Sequence, residues 1–149
     1  MSTVTPPREF VTFRVNDQWL GVPVAIVQEV LLAQRLAIVP LAPAEVAGFL
    51  NLRGQIVTAV DLRTRLDIDG ESVLETAMNV VVRHDDELFS LLVDEVGDVL
   101  AIEGERVELV PPTLDACWRA VSSGIVRRDR DLLVVLDVSA LLRVDAATT

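Results

Sequence analysis

Few residues in this 149-residue chain have the type and spacing to break bonds. Carboxylate pairs, the usual apparatus of general acid–base catalysis, occur at Asp85/Asp86 and Asp129/Asp131. All four fall where hairpin turns are predicted, and Asp is favoured in turns for backbone reasons alone. His84 is the single histidine and Cys117 the single cysteine. Neither a His/Cys zinc site nor a Cys–His nucleophile pair can be assembled from them, and no internal disulfide can form. The chain has no Walker A or G-x-G-x-x-G loop to cradle phosphate and no G-x-S-x-G turn to carry a nucleophile. Asp67-Ile-Asp-Gly-Glu71 shares a few positions with a calcium loop but lacks the other ligands, and reads as a solvated acidic linker. No enzyme activity, metal or cofactor is expected; binding by surface shape is.

The one cation whose setting suggests a task is Arg53. Leu52-Arg53-Gly54-Gln55 reads as a tight hairpin turn between two apolar runs, Phe49 to Leu52 and Ile56 to Val60. A planar guanidinium on such a turn can grip a carboxylate or backbone carbonyl in bidentate fashion. The second run ends at Asp61, placed to cap a short helical turn by accepting the orphan N–H of Arg63 or Thr64.

A plainer copy of this unit lies near the C-terminus, with Gly48 matching Gly124, Asp61 matching Asp137 and Leu66 matching Leu142; Asp137 is the corresponding cap, for Ser139 and Ala140. A second block also recurs. Val11–Leu31 lies over Val80–Leu100, so that Arg14 matches Arg83, Asp17 matches Asp86, Val27 matches Val96 and Val30 matches Val99. Each half carries a Val-Pro (Val39-Pro40, Val110-Pro111) between its two blocks. Two different blocks in the same order, matched at Gly, Asp and Pro, argue for internal duplication.

Composition sets the bounds. An apolar fraction of 51% with only 4% aromatic residues predicts an aliphatic core, and its Val content favours strands. Mean hydropathy is +0.44, yet no apolar run approaches the roughly 18 residues of a membrane span, and residues 1–10 contain no signal-peptide core. A soluble, cytoplasmic-type protein without membrane insertion is expected. Net charge is −10, from 23 acids against 13 bases, all Arg, which disfavours nucleic-acid backbones.

The expected elements are short strands at regular intervals: Glu9–Val15 and Trp19–Val22 about Asn16-Asp17, Leu36–Val39, the Arg53 hairpin, Met78–His84 and Leu88–Val93 about Asp85-Asp86, Val99–Ile102, and Val107–Val110. Val24, Val27, Val30 and Leu31 after Pro23 have a helical spacing. Pro111 to Ala116 reads as a loop. The whole predicts an all-β fold with short helices, built as closed or near-closed barrels. Flexible tails are expected at 1–8 and 144–149, with one domain over 9–143: repeat one about 9–66, a linker 67–77, and repeat two about 78–143.

Gly48-Phe-Leu-Asn-Leu-Arg-Gly54 followed by Asp61-Leu-Arg-Thr-Arg-Leu66 resembles the signature of the CheW-like domain, the chemotaxis coupling adaptor family. Val24 to Val30, Val93-Asp-Glu-Val-Gly-Asp-Val99 and the closing Leu136-Asp137 and Leu141-Leu142 extend the likeness over Phe10 to Leu142. The resemblance implies two SH3-like five-stranded β-barrels about a pseudo-two-fold axis, with strands that can be exchanged between lobes. It implies a stand-alone scaffold that couples methyl-accepting chemoreceptors to the regulatory domain of a CheA-type histidine kinase at membrane-associated receptor arrays. Thr58 stands where the family often has Pro, a change expected on an edge strand, and Asp67 where it commonly has Gly.

By the same resemblance Arg53 faces the receptor's helical cytoplasmic tip, and Gly48 allows close approach of the receptor helix. Val27, Val30, Val96 and Val99 border the apolar groove that takes the helix, with Glu29 on its rim. Residue by residue other readings stand: the four valines are also ordinary core positions, Gly48 and Gly54 backbone necessities, and Asp61 and Asp137 structural caps. A different class of function, a small-ligand sensor with a pocket between barrels, is disfavoured by the scarcity of convergent polar and aromatic residues.

Overall fold

The computed structural model describes residues 8–38, 40–68, 70, 76–103, 106–129 and 131–142. Most of both expected tails and much of the acidic linker lie outside these. Repeat one supplies β1 (Arg8–Val15), β2 (Gln18–Pro23), a 3-10 turn (Val24–Ile26), β3 (Val27–Leu31), β4 (Val46–Leu52), β5 (Gln55–Asp61) and α1 (Leu62–Arg65). Repeat two supplies β6 (Met78–His84), β7 (Glu87–Val93), β8 (Glu95–Ile102), β9 (Val107–Glu108), α2 (Ala116–Val121), β10 (Ser122–Arg127), β11 (Leu132–Leu136) and α3 (Val138–Leu141).

The strands form two sheets, ordered β8-β1-β2-β11-β10-β9 and β3-β6-β7-β5-β4. Neither sheet belongs to one repeat. Each takes the first hairpin of one repeat and the later strands of the other, joined through a parallel pair: β2 with β11 in the first sheet, β5 with β7 in the second. The duplication holds to the residue. Val11 faces Val99 and Phe13 faces Val96, just as Val80 faces Val30 and Val82 faces Val27. Gly48 opposite Ala59 is repeated as Gly124 opposite Val135, each beside a register shift.

Strand exchange explains the unbroken aliphatic runs. On β1, Val11, Phe13 and Val15 point into a central cluster shared by both sheets, while Phe10 points into the first sheet's own core with Ile102, Val126, Leu133 and Val135. On β6 and β7, Val80, Val82, Phe89, Leu91 and Val93 join the central cluster, and Val81, Leu88 and Leu92 fill the second sheet's core. Strands buried on both faces read as continuous apolar sequence rather than alternation. Trp118 packs against the central cluster and Trp19 against the first sheet's core. Two neighbouring polar side chains buried in the second sheet satisfy one another: Ser90 Oγ donates to Asn79 Oδ1 at 2.7 Å, and Asn79 Nδ2 donates to the Leu32 carbonyl at 3.2 Å.

Several expected elements differ. The helical spacing over Val24 to Leu31 yields only the 3-10 turn and then strand β3. Leu36–Val39 contributes a single bridge, Ala37 to Phe49, with Val39 outside the described residues. β9 is two residues long rather than four, and β8 begins at Glu95, four residues before the expected strand. Residues 116–121 are helical. β5, which holds Thr58, is not an edge strand but lies between β7 and β4. Asp67 has φ +54°, the left-handed conformation after a helical turn that Gly adopts without penalty.

Phe13 is fully buried in the cluster both sheets share. Phe13→Ala is expected to lower unfolding free energy by about 3–5 kcal/mol in a single transition, measured by urea denaturation. Two separated transitions would show that the lobes unfold independently.

Candidate protein-interaction surface

Arg53 and Gly54 form the two-residue turn between β4 and β5, with φ +50° and +90°. Positive φ at both positions is what a tight primed hairpin turn demands, and Gly54 meets it at no steric cost. Asn51 fixes the turn from below, its Oδ1 accepting the Gly54 N–H at 2.8 Å. The Arg53 side chain then crosses to β3 and engages Glu29 through both nitrogens, Nη2 to Oε2 and Nη1 to Oε1, the latter at 3.4 Å. Because β3 and β4 are the two edges of the second sheet, this fork ties one edge to the hairpin of the other. Hydrogen bonding and the charge of Glu29 raise the guanidinium pKa further above its ordinary value. The pair is lopsided in exposure, Arg53 at 70% and Glu29 at 24%, so the arginine side chain remains largely open to solvent.

The four valines divide. Val27 and Val96 pack against the central cluster; Val30 and Val99 are exposed, at 39% and 55%. Val27, Glu29 and Val30 share β3 with the Arg53 contact, whereas Val96 and Val99 lie on β8, at the edge of the other sheet. Gly48 is buried, and a Cβ there would stand 2.6 Å from the Ala37 carbonyl oxygen. The close approach at Gly48 is therefore made by the chain's own Ala37, whose N–H and C=O both bond Phe49. Gly124 plays the same part beneath β9, where a Cβ would meet Val107 at 2.7 Å. Asp61 caps α1, accepting the Arg63 N–H and the Thr64 hydroxyl, and Asp137 caps α3, accepting the Ala140 N–H.

Further surface residues escaped the sequence reading. Leu32, Ile38, Leu41 and Ile56 are exposed on the second lobe. Three exposed positions recur across the duplication: Val30 with Val99, Ile38 with Leu109, and Ile56 with Leu132. Each barrel thus presents an equivalent set of three aliphatic side chains to solvent. Only the repeat itself could have signalled them, by pairing Ile38 with Leu109 and Ile56 with Leu132 at non-core positions. Among the described residues there is no cluster of metal-ligating side chains, and no helix long and apolar enough to cross a membrane.

Two strand-exchanged β-barrels grown from a duplicated sequence define the structural class. The chain belongs to the CheW-like domain family, which matches residues 9–146, a family of chemotaxis scaffold proteins. It is similar to chemotaxis protein CheW of Treponema pallidum, 28% identical over 138 residues covering 89% of this chain and 81% of that protein. Chemotaxis protein CheW of Klebsiella aerogenes is 26% identical, with 93% and 83% covered. Among solved structures, the scaffolding protein TtCheW of Thermoanaerobacter tengcongensis superposes with a TM-score of 0.79 at 26% identity, over 87% of this chain and 88% of that one.

Gly48→Ala forces a Cβ into the Ala37 carbonyl and is expected to cost about 1–3 kcal/mol. Gly54→Ala meets nothing within 4 Å and is expected to cost about 1 kcal/mol through its positive φ alone. Chemical denaturation of the two variants measures both losses; Gly48 also has positive φ, +154°, so its cost contains backbone strain in addition to the clash.

Proposed function

We propose that this chain is a non-enzymatic adaptor that couples methyl-accepting chemoreceptors to a CheA-type histidine kinase, in the cytoplasm at membrane-associated receptor arrays. The observation that carries the reading is the Arg53 turn. It sets a rigidly based but exposed guanidinium on a barrel that also exposes Val30, Leu32, Ile38 and Ile56. A helical hairpin presents apolar side chains flanked by carboxylates and carbonyls, and helix-in-groove recognition uses that combination of aliphatic contact and polar anchor. Val27 and Val96 shape the surface from within, Val30 and Val99 touch the partner, and Glu29 orients Arg53 from the rim. Gly48 serves by letting Ala37 close over β4.

An adaptor has to hold two partners at once. The recurrence of exposed aliphatic residues on both lobes supports that requirement, since one barrel can meet the kinase's regulatory domain while the other remains accessible. Coupling needs no chemistry from the adaptor. It needs only that receptor and kinase be held at a fixed separation, so that a change in receptor packing biases the kinase. The relatives' shared name, chemotaxis protein CheW, supports the setting.

Calorimetric titration with the regulatory domain of the cognate CheA-type kinase at physiological salt is expected to give saturable one-to-one binding; no complex by heat or gel filtration overturns the adaptor reading. Arg53→Glu is expected to weaken binding of the receptor's cytoplasmic fragment at least about tenfold, or about 1.4 kcal/mol, while kinase binding is unchanged. Intact receptor binding in that variant removes Arg53 from the site.

A further inference from the structure

An open groove of about 390 Å³ lies where Ile26, Leu136 and Val138 meet Arg83 and His84. Its pseudo-symmetric counterpart is occupied by two ion pairs, Arg14 with Glu95 at 3.2 Å and Arg63 with Asp94 at 2.7 Å, and the Asn16 N–H also donates to Asp94. The duplication relates Arg14 to Arg83, Glu95 to Ile26, Asp94 to Ala25 and Arg63 to Ser139. Of the four charged groups that occupy the first position, Arg83 alone survives in the second. It is exposed, and its side chain makes no hydrogen bond or ion pair among the described residues.

We infer that this groove is a docking site for an acidic side chain on an extended segment of a partner protein, the partner's carboxylate taking the place on Arg83 that Glu95 takes on Arg14. Guanidinium–carboxylate pairing is directional and charge-assisted, and Ile26, Leu136 and Val138 form an aliphatic lining for residues flanking the acid. The other polar groups facing the groove are already engaged or neutral. Asp137 accepts the Ala140 N–H, Ser123 Oγ donates to the Val135 carbonyl, Ser139 is uncharged, and His84 Nε2 lies 3.4 Å from Asp85. The chain's net charge of −10 does not bar an acidic segment: distant charges are largely screened beyond about 8 Å at physiological salt, and the one carboxylate in the lining, Asp137, is turned to the Ala140 N–H. None of the groove's lining residues belongs to the Arg53 turn, and the inference does not depend on the receptor–kinase reading.

The test is a ¹H–¹⁵N NMR titration of the full chain with acetyl-Val-Glu-Val-amide and with its Gln counterpart. The Glu peptide is expected to shift the amides of Arg83, His84, Ser123 and Ser139 saturably, and the Gln peptide to bind about two- to fivefold more weakly, the worth of an exposed ion pair. Arg83→Gln changes an exposed residue without partners, so the fold is retained, and it should abolish the preference for Glu. Ile26→Glu restores the carboxylate found opposite Arg14 and should block the peptide. No shift up to millimolar peptide, equal binding of the two peptides, or a Glu preference that survives Arg83→Gln overturns the proposal.

Discussion

Everything in this molecule depends on two parallel strand pairings, β2 with β11 and β5 with β7. Parallel neighbours cannot be joined by a tight turn and need a long connection; here they join strands from opposite repeats. Without them the first hairpin of each repeat would be linked to the other repeat's later strands only through its outer strand, β1 to β8 and β6 to β3. With them, Leu20 and Val22 of β2 lie beside Val134 and Leu136 of β11 in one central cluster, and Val60 of β5 beside Leu91 of β7. Folding one repeat alone would expose the apolar faces that the other is shaped to cover.

That arrangement decides what could be read from the chain. The punctuation was legible: Asp61 and Asp137 as caps, Asn16, Arg53-Gly54 and Asp85-Asp86 as turns with positive φ, and the matched pairs that fixed the pseudo-symmetry before any pairing was known. The spacing Val24, Val27, Val30 misled because a 3-10 turn followed by a bulged strand, with a register shift between Val27 and Glu29, spaces its valines as a helix does. α2 was hidden for a different reason. Its six residues are too few for periodicity to register, and Asp115 at its start makes no side-chain cap. The strand pairing across repeats has no local signature at all, since it is enforced by burial on both faces at once.

The candidate site divides along the same line. Arg53 could be picked out because apolar neighbours on both sides forced it onto a turn, but its grip on Glu29 could not, as the two residues belong to opposite edges of a sheet that closes only in three dimensions. In sequence Gly48 reads as a backbone necessity that also admits a receptor helix. The approaching group is Ala37, within the same chain, and the equivalent tight spot at Gly124 under Val107 shows that this contact is part of the duplicated architecture. Leu32, Ile38 and Leu41 resemble core residues in sequence and lie on the surface instead, a distinction that apolar character alone cannot draw.

A shared core frees the two surfaces to diverge. The turn of repeat two answers Arg53 with Arg127 and Arg128, yet these are neutralised nearby, Arg128 by Asp131 at 2.6 and 2.7 Å and Arg127 by Glu108 at 2.9 Å. Neither spans its barrel as Arg53 does. Arg65 carries no such duplicate, Leu141 standing in its place, and it donates to the carbonyls of Leu141 and Ala140, binding α1 to the last turn of α3. Exposed ion pairs contribute little stability, typically under about 1 kcal/mol each, so the asymmetry of charges has little effect on whether the protein folds. Its effect is on which groups each lobe leaves available. A symmetric core with asymmetric charges gives one small chain two different faces.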